Sequence, residues 1–282
     1  MHAQSWQTCD ADIRAFVQRF IRLATDRLGA ANVTGGYLHG SLATGSYYRP
    51  KSDIDLLIVV PDRLDGGMAA GLNLAIARLA EKRPTVGSLE VSAMTADTAA
   101  RVPIPTPYEL HYSAAWHERV LRGEVSYDAG RTDGDLPAHL FCVRRRGVCL
   151  YGRPIAEVFG DVSREAFLRA ILADAGEILE GERLLEIPYY GVLNLCRVLQ
   201  ALTDREVYPY SKDEGGAWGL RRLPERFRPL IAAVLDVYHA ETPVREAQRE
   251  TGGVRWNRED LLAFRDYARE WLSASGLPNG SG

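Results

Sequence analysis

The chain has 282 residues, of which 46% are hydrophobic and 25% charged, and its net charge is −3. This is an ordinary globular composition with enough apolar residues for one large domain or two modest ones. The slightly acidic balance argues against broad nucleic-acid binding, which needs a dominant basic surface.

Residues 10–28 carry Ile13, Phe16, Val17, Phe20, Ile21 and Leu28 at helical spacing, which predicts an amphipathic helix ended by Gly29. Residues 33–39 predict a short strand and residues 42–47 a helical turn. Residues 53–60 open with Asp-Ile-Asp and continue with five apolar residues, which predicts a buried strand closed by Pro61-Asp62. Residues 68–82 predict a helix with Leu72, Ile76 and Leu79 on one face, and residues 89–94 alternate like a third strand. Strand, strand, helix and strand make a small α/β sheet packed by helices.

The pattern changes after Pro107. Residues 108–122 and 136–147 predict helices joined by a Gly/Asp-rich loop, with Arg144-Arg145-Arg146 as a helix end or solvated face. After the break at Gly152-Arg153-Pro154, residues 164–185, 190–203, 213–222, 226–240 and 258–273 all read as helices, punctuated by Pro188, Pro209, Pro224 and Pro243. A boundary near Gly160 divides an α/β head, residues 1–160, from an all-α tail, residues 161–282. Residues 276–282 read as a frayed end.

The cysteines Cys9, Cys142, Cys149 and Cys196 form no Cys-x-x-Cys pair and suit neither a disulfide framework nor a zinc site. The first residues lack a basic stretch followed by an apolar core, and no apolar run approaches membrane-spanning length. The expectation is a cytoplasmic protein with no membrane partner. No coiled-coil heptad is visible, so a monomer is expected.

The stretch that carries chemistry is Gly40-Ser41, a turn containing Gly45 and Pro50, then Ser52-Asp53-Ile54-Asp55 and Leu56-Leu57-Ile58-Val59-Val60. Alternate side chains of a strand share a face, so Asp53 and Asp55 point together. Asp-x-Asp by itself also fits an ordinary half-exposed strand entry. With Gly-Ser upstream and the apolar run downstream, the pair points to a divalent cation. Mg2+ takes such hard oxygen ligands together with substrate phosphates. Gly40-Ser41 can bring backbone N–H groups and a hydroxyl to a phosphate. Glu90, in Leu89-Glu90-Val91, is either an outward strand residue or a third acid that orients and deprotonates an attacking hydroxyl.

These residues resemble the nucleotidyltransferase signature of the DNA polymerase beta superfamily. Further along, Leu193-Asn194-Leu195-Cys196-Arg197-Val198, Ser211-Lys212-Asp213, Ala217-Trp218, Arg222-Leu223-Pro224 and Tyr238 resemble the C-terminal domain of bacterial aminoglycoside adenylyltransferases that modify streptomycin and spectinomycin. The likeness runs from about residue 30 to residue 240. It implies an α/β (α+β) nucleotidyltransferase head with a small mixed sheet and an all-α C-terminal domain, with ATP bound between the two.

The resemblance also implies roles at the matched positions. Asp53 and Asp55 hold Mg2+ and the ATP phosphates, Ser41 and Ser52 contact the triphosphate, and Glu90 is the base. Arg197 and Lys212 reach the nucleotide, Tyr238 helps to close its site, and Trp116 faces the acceptor. On residue type alone, Lys212 reads as an ordinary surface lysine and Trp116 as core.

The streptomycin-modifying enzymes carry acids before the Asn-x-x-Arg helix that bind the cationic acceptor. An ungapped match puts Arg183 and Ile187 there, with Glu182 and Glu186 one residue away. The implied activity is transfer of AMP from ATP to a hydroxyl of an aminoglycoside or aminocyclitol, with release of pyrophosphate. Two alternatives stand beside it. One is a nucleotidyltransferase acting on a different small molecule, a protein or a tRNA end; the other is a catalytically silent nucleotide-binding sensor.

Overall fold

Seven strands form among the described residues: β1 (Gly35–His39), β2 (Ile54–Val60), β3 (Leu89–Thr95), β4 (Thr106–Pro107), β5 (Leu110–Tyr112), β6 (Thr132–Asp133) and β7 (Val148–Gly152). Five of them make a mixed sheet in the order β5-β3-β2-β1-β7, and β4 pairs with β6 in a separate short ribbon. The structure is a computed structural model that describes residues 2–128, 130–241 and 248–274. Pro243 and residues 276–282, expected to fray, lie outside the described residues.

The sheet buries both faces because its strands alternate two kinds of side chain. Leu38, Ile54, Leu56, Ile58, Val60, Leu89, Val91, Ala93, Leu110 and Tyr112 join one core with Phe16, Phe20, Leu72 and Ile76. The last four belong to α1 (Ala11–Leu28) and α3 (Gly66–Ala80). The opposite parity carries Tyr37, Leu57, Val59 and Met94, all buried. On that second side, three short helices touch the strands or one another: α4 (Ala96–Arg101), α6 (Leu136–Arg146) and α7 (Ile155–Val158). Two further short helices, α2 (Gly40–Thr44) and α5 (His117–Leu121), complete this part of the chain. β2 and β3 run parallel, joined through α3, and the other pairs are antiparallel.

From residue 164 the α-helices among the described residues are α8 (Arg164–Leu179), α9 (Arg183–Glu186), α10 (Pro188–Thr203), α11 (Lys212–Arg222), α12 (Arg228–His239) and α13 (Arg258–Ala274), with no strand between them. The chain separates between Val162 and Ser163 into two compact units. No helix among the described residues is long and apolar enough to cross a membrane.

Three sequence expectations differ from the structure. Residues 108–122 begin as a strand, not a helix, because Leu110 and Tyr112 face the core and pair with Ala93 and Val91. The edge strand β7 escaped notice because it is half exposed and its apolar run, Val148 to Tyr151, is only four residues long. Residues 164–185 are two helices, because Gly181 adopts φ +49 and a left-handed residue stops an α-helix.

Glycine is a weak helix former, yet α11 contains Gly215, Gly216 and Gly219. Their absent side chains let α10 approach. A Cβ at Gly215 would lie 2.6 Å from Arg197 Cγ and 2.9 Å from its backbone nitrogen, and one at Gly219 would lie 2.9 Å from Cys196 Sγ. Gly71, in α3, has nothing within 4 Å of the corresponding position. The two sites therefore respond oppositely to alanine. Gly71→Ala is expected to stabilise the protein by about 0.5–1 kcal/mol through helix propensity. Gly215→Ala is expected to destabilise it by about 1–3 kcal/mol through overpacking. Urea unfolding of both variants measures the pair, and equal signs would contradict this packing.

Candidate active site

Strand register brings the acids together. Asp55 lies opposite His39 of β1 and beside Glu90 of β3. Side chains directly paired across a ladder share a face, so His39, Asp55 and Glu90 form a row across three strands, spaced about 4.8 Å apart. Asp53 stands one residue before β2, with the parity of Asp55.

The Asp53 carboxylate is held by the entry of the next strand. Its Oδ1 accepts the Ser88 backbone N–H at 2.5 Å and the Ser88 hydroxyl at 2.7 Å. The preceding residue must be glycine, because a Cβ at Gly87 would lie 1.8 Å from the Ser52 carbonyl oxygen. Arg49 fastens the loop from the other side. Its guanidinium donates to Asp10 at 2.7 Å, to Asp12 at 2.5 and 3.0 Å, and to the Pro84 carbonyl at 2.7 Å. The hydrogen bond from Arg49 holds the Asp12 carboxyl below its usual range.

Asp55 is positioned by backbone. Gly40 adopts φ +62, and a Cβ there would fall 1.8 Å from Asp55 Oδ2. Any side chain at residue 40 would displace the carboxylate. The Ser41 hydroxyl next to it is buried without a hydrogen-bond partner. Leaving such a group unsatisfied costs about 1–3 kcal/mol, and a phosphate oxygen would relieve it. The Ser52 hydroxyl instead accepts the Tyr48 N–H at 3.0 Å and closes its own turn. The His39 imidazole adds no charge to the row. Burial pushes its pKa well below the ordinary range, and His139, with ring centroids 5.1 Å apart, lowers it further.

This donor set suits Mg2+: hard carboxylate oxygens and no thiolate. Among the described residues, no group of three or more His, Cys, Asp or Glu is placed to enclose a metal alone.

In the helical unit, Arg197 of α10 donates to the Asn194 side-chain oxygen and to the Tyr210 carbonyl at 3.4 Å. The Lys212 ammonium sits 4.6 Å from the Tyr190 ring centroid and 5.8 Å from that of Tyr238, which is buried. Glu182 and Glu186 line one surface recess with Glu177, Glu180 and Arg183. Glu182 is paired with Arg258 and Glu186 with Arg183. Ile187 is buried and immediately precedes α10. In the other unit, Trp116 is half-buried, with the Arg119 guanidinium 4.7 Å from its ring centroid.

The structure thus gathers Gly40, Ser41, Ser52, Asp53, Asp55 and Glu90 at one end of the sheet. It places Arg197, Lys212 and Tyr238 among α10, α11 and α12. Sequence reasoning missed Gly87, Ser88 and His39. A Gly-Ser pair directly before a strand was the only available signal for the first two.

Two family models match the chain, a nucleotidyltransferase domain over residues 20–93 and an aminoglycoside adenylyltransferase C-terminal domain over residues 157–267. A spectinomycin 9-adenylyltransferase of Campylobacter jejuni is 27% identical over 245 residues, covering 82% of this chain and 90% of the relative. An aminoglycoside (3'') (9) adenylyltransferase of Escherichia coli is 26% identical over 224 residues, covering 76% and 80%. The fold is that of a spectinomycin adenyltransferase of Enterococcus faecialis, solved with ATP and spectinomycin. The match has a TM-score of 0.75 at 20% identity and covers 92% of this chain and 99% of that one.

Ser88→Ala removes one of the two hydrogen bonds to Asp53 Oδ1 and is expected to destabilise the protein by about 1–2 kcal/mol, a charge-assisted bond lessened by partial exposure. Urea unfolding checks it. A change below about 0.3 kcal/mol would show that the backbone N–H alone fixes the carboxylate.

Proposed function

This chain belongs to the aminoglycoside adenylyltransferase family of nucleotidyltransferases, and from that membership we propose that it moves AMP from ATP to a hydroxyl of a spectinomycin- or streptomycin-like antibiotic. The observation that carries the reading is the register of β2 and β3, which sets Glu90 beside Asp55 with Gly40 and the unpartnered Ser41 hydroxyl at the same strand end. A sensor without catalysis has no use for the third acid.

Each residue has a stated task. Asp53 and Asp55 hold Mg2+, which when bound neutralises phosphate charge and polarises the α-phosphoryl group. The Ser41 hydroxyl donates to a phosphate oxygen, and Ser52 lies beside it in the phosphate loop. Glu90 accepts the proton of the acceptor hydroxyl. The hydroxyl oxygen then forms a bond to the α-phosphorus as the bond from that phosphorus to the bridging oxygen breaks, and pyrophosphate leaves with the electron pair. Arg197 and Lys212 supply cations to the phosphates, and Tyr238 packs beside the Lys212 ammonium. Most of the acceleration comes from positioning and charge neutralisation.

The acceptor is cationic, and the recess of Glu177, Glu180, Glu182 and Glu186 offers it acids. Glu182 and Glu186 there stand in for the acids absent at Arg183 and Ile187, exchanging their arginine partners for the acceptor's amines. Trp116 offers the acceptor an aromatic face. ATP as donor fits a cytoplasmic enzyme.

Asp53→Asn and Asp55→Asn are expected to leave the far-ultraviolet circular dichroism unchanged and to abolish pyrophosphate release, as chelation of Mg2+ would. Glu90→Gln is expected to lower kcat by about 10²–10⁴-fold, the usual worth of a general base. Mass spectrometry of a spectinomycin and streptomycin panel then looks for an added AMP. Wild-type turnover in either aspartate variant would sink the assignment.

A further inference from the structure

The arginines of the helical unit are used in two ways. Arg183, Arg228, Arg258 and Arg269 each pair with a carboxylate, respectively Glu186, Glu225, Glu182 and Asp266. Arg197 does not. Its hydrogen-bond partners among the described residues are both neutral, the Asn194 amide oxygen and the Tyr210 carbonyl.

We propose that Asn194 is a positioning residue that orients the Arg197 guanidinium for the nucleotide's phosphates without neutralising it, with Asp174 as its anchor. This rests on the reading of Arg197 as a phosphate-binding cation.

The geometry is a relay. Asn194 is 0% exposed and lies one helical turn before Arg197 on α10. A guanidinium can only donate, so the amide atom facing it is the oxygen, and the amide NH2 is left to face outward. That NH2 points to Asp174 Oδ2 of α8 at 3.5 Å. The amide therefore accepts from the cation at one end and donates to the carboxylate at the other. It keeps the two charges one side chain apart.

The rest of the setting is rigid. The Tyr210 hydroxyl donates to Asp204 at 2.6 Å, fixing the segment whose carbonyl meets Arg197. Gly215 of α11 closes on the Arg197 stem. A buried amide satisfied at both ends is a costly way to fill a core, and a leucine would pack the same volume more simply. What the amide adds is orientation of a charge that stays available.

Substitution of the amide by a carboxylate separates this role from packing. Asn194→Asp keeps size and shape but pairs Arg197 directly. ATP binding is read by titration calorimetry on the full chain, and the ATP KM and kcat are read from pyrophosphate release. Asn194→Asp and Arg197→Ala are each expected to weaken ATP binding at least tenfold. For Asn194→Asp, kcat at saturating ATP should stay within about threefold and the acceptor KM should be unchanged. Asp174→Leu is expected to weaken ATP binding several-fold, and Asp174→Asn, which can still accept from the amide, by less than threefold.

Wild-type ATP affinity in Asn194→Asp overturns the proposal. If that variant does not fold, wild-type affinity in Asp174→Leu does so instead. Weak binding by Arg197→Ala beside normal binding by the Asn194 and Asp174 variants rejects this proposal alone. Normal binding by Arg197→Ala rejects it together with the phosphate role of Arg197.

Discussion

Asp55 and Glu90 occupy paired positions on two parallel strands, where the ladder holds the backbones about 4.8 Å apart. Two full charges at that separation repel by on the order of 3 kcal/mol at an effective dielectric of about 20. Strands in a sheet buried on both faces cannot move apart to relieve this. Asp53, anchored by Ser88, adds a third acid at the same strand end. The fold therefore concentrates negative charge that the nearby imidazole, kept neutral by burial, does not offset. On the proposed reading, a divalent cation arriving with phosphates relieves such an arrangement.

Holding acids this close requires the backbone to come closer than side chains permit. Gly40 lets the chain lie against Asp55, and Gly87 lets the entry of β3 rest on the carbonyl of Ser52. Both glycines serve the same end from opposite sides. One fixes the second aspartate, and the other brings Ser88 within reach of the first. Arg49, tied to α1 and to Pro84, prevents the intervening loop from opening. The geometry of these acids is thus shared between sheet and loops, with Asp55 on β2, Glu90 on β3 and Asp53 one residue before β2 in a braced loop.

Much of the head was legible because its signals are local. Asp-x-Asp followed by five apolar residues names a strand, its buried face and its polar face at once. Glu90 was placed on the correct strand by alternation, but only the register of β2 with β3 sets it beside Asp55, and register is a long-range property. The strand at residues 110–112 was hidden in a helical reading, since three residues are too few to show a period. Ser88 went unseen, and the partners of Asn194 with it, for a related reason: a serine or an asparagine has no preferred partner until the fold supplies one. The split of residues 164–185 turned on the left-handed backbone of Gly181, which a helical period runs straight through.

The two units treat charge in opposite ways. In the head, carboxylates stand together and their backbone supports are spent on holding them in place. In the helical unit, Arg197 is gripped by an amide and a carbonyl, whereas Arg183 and Arg258 are paired with acids. If stability alone governed α10, a carboxylate at residue 194 would be a stronger partner for that guanidinium than the amide is. Interposing an amide forgoes an ion pair and keeps a positive field directed outward. On the proposed reading, that charge is kept for the phosphate oxygens of a nucleotide.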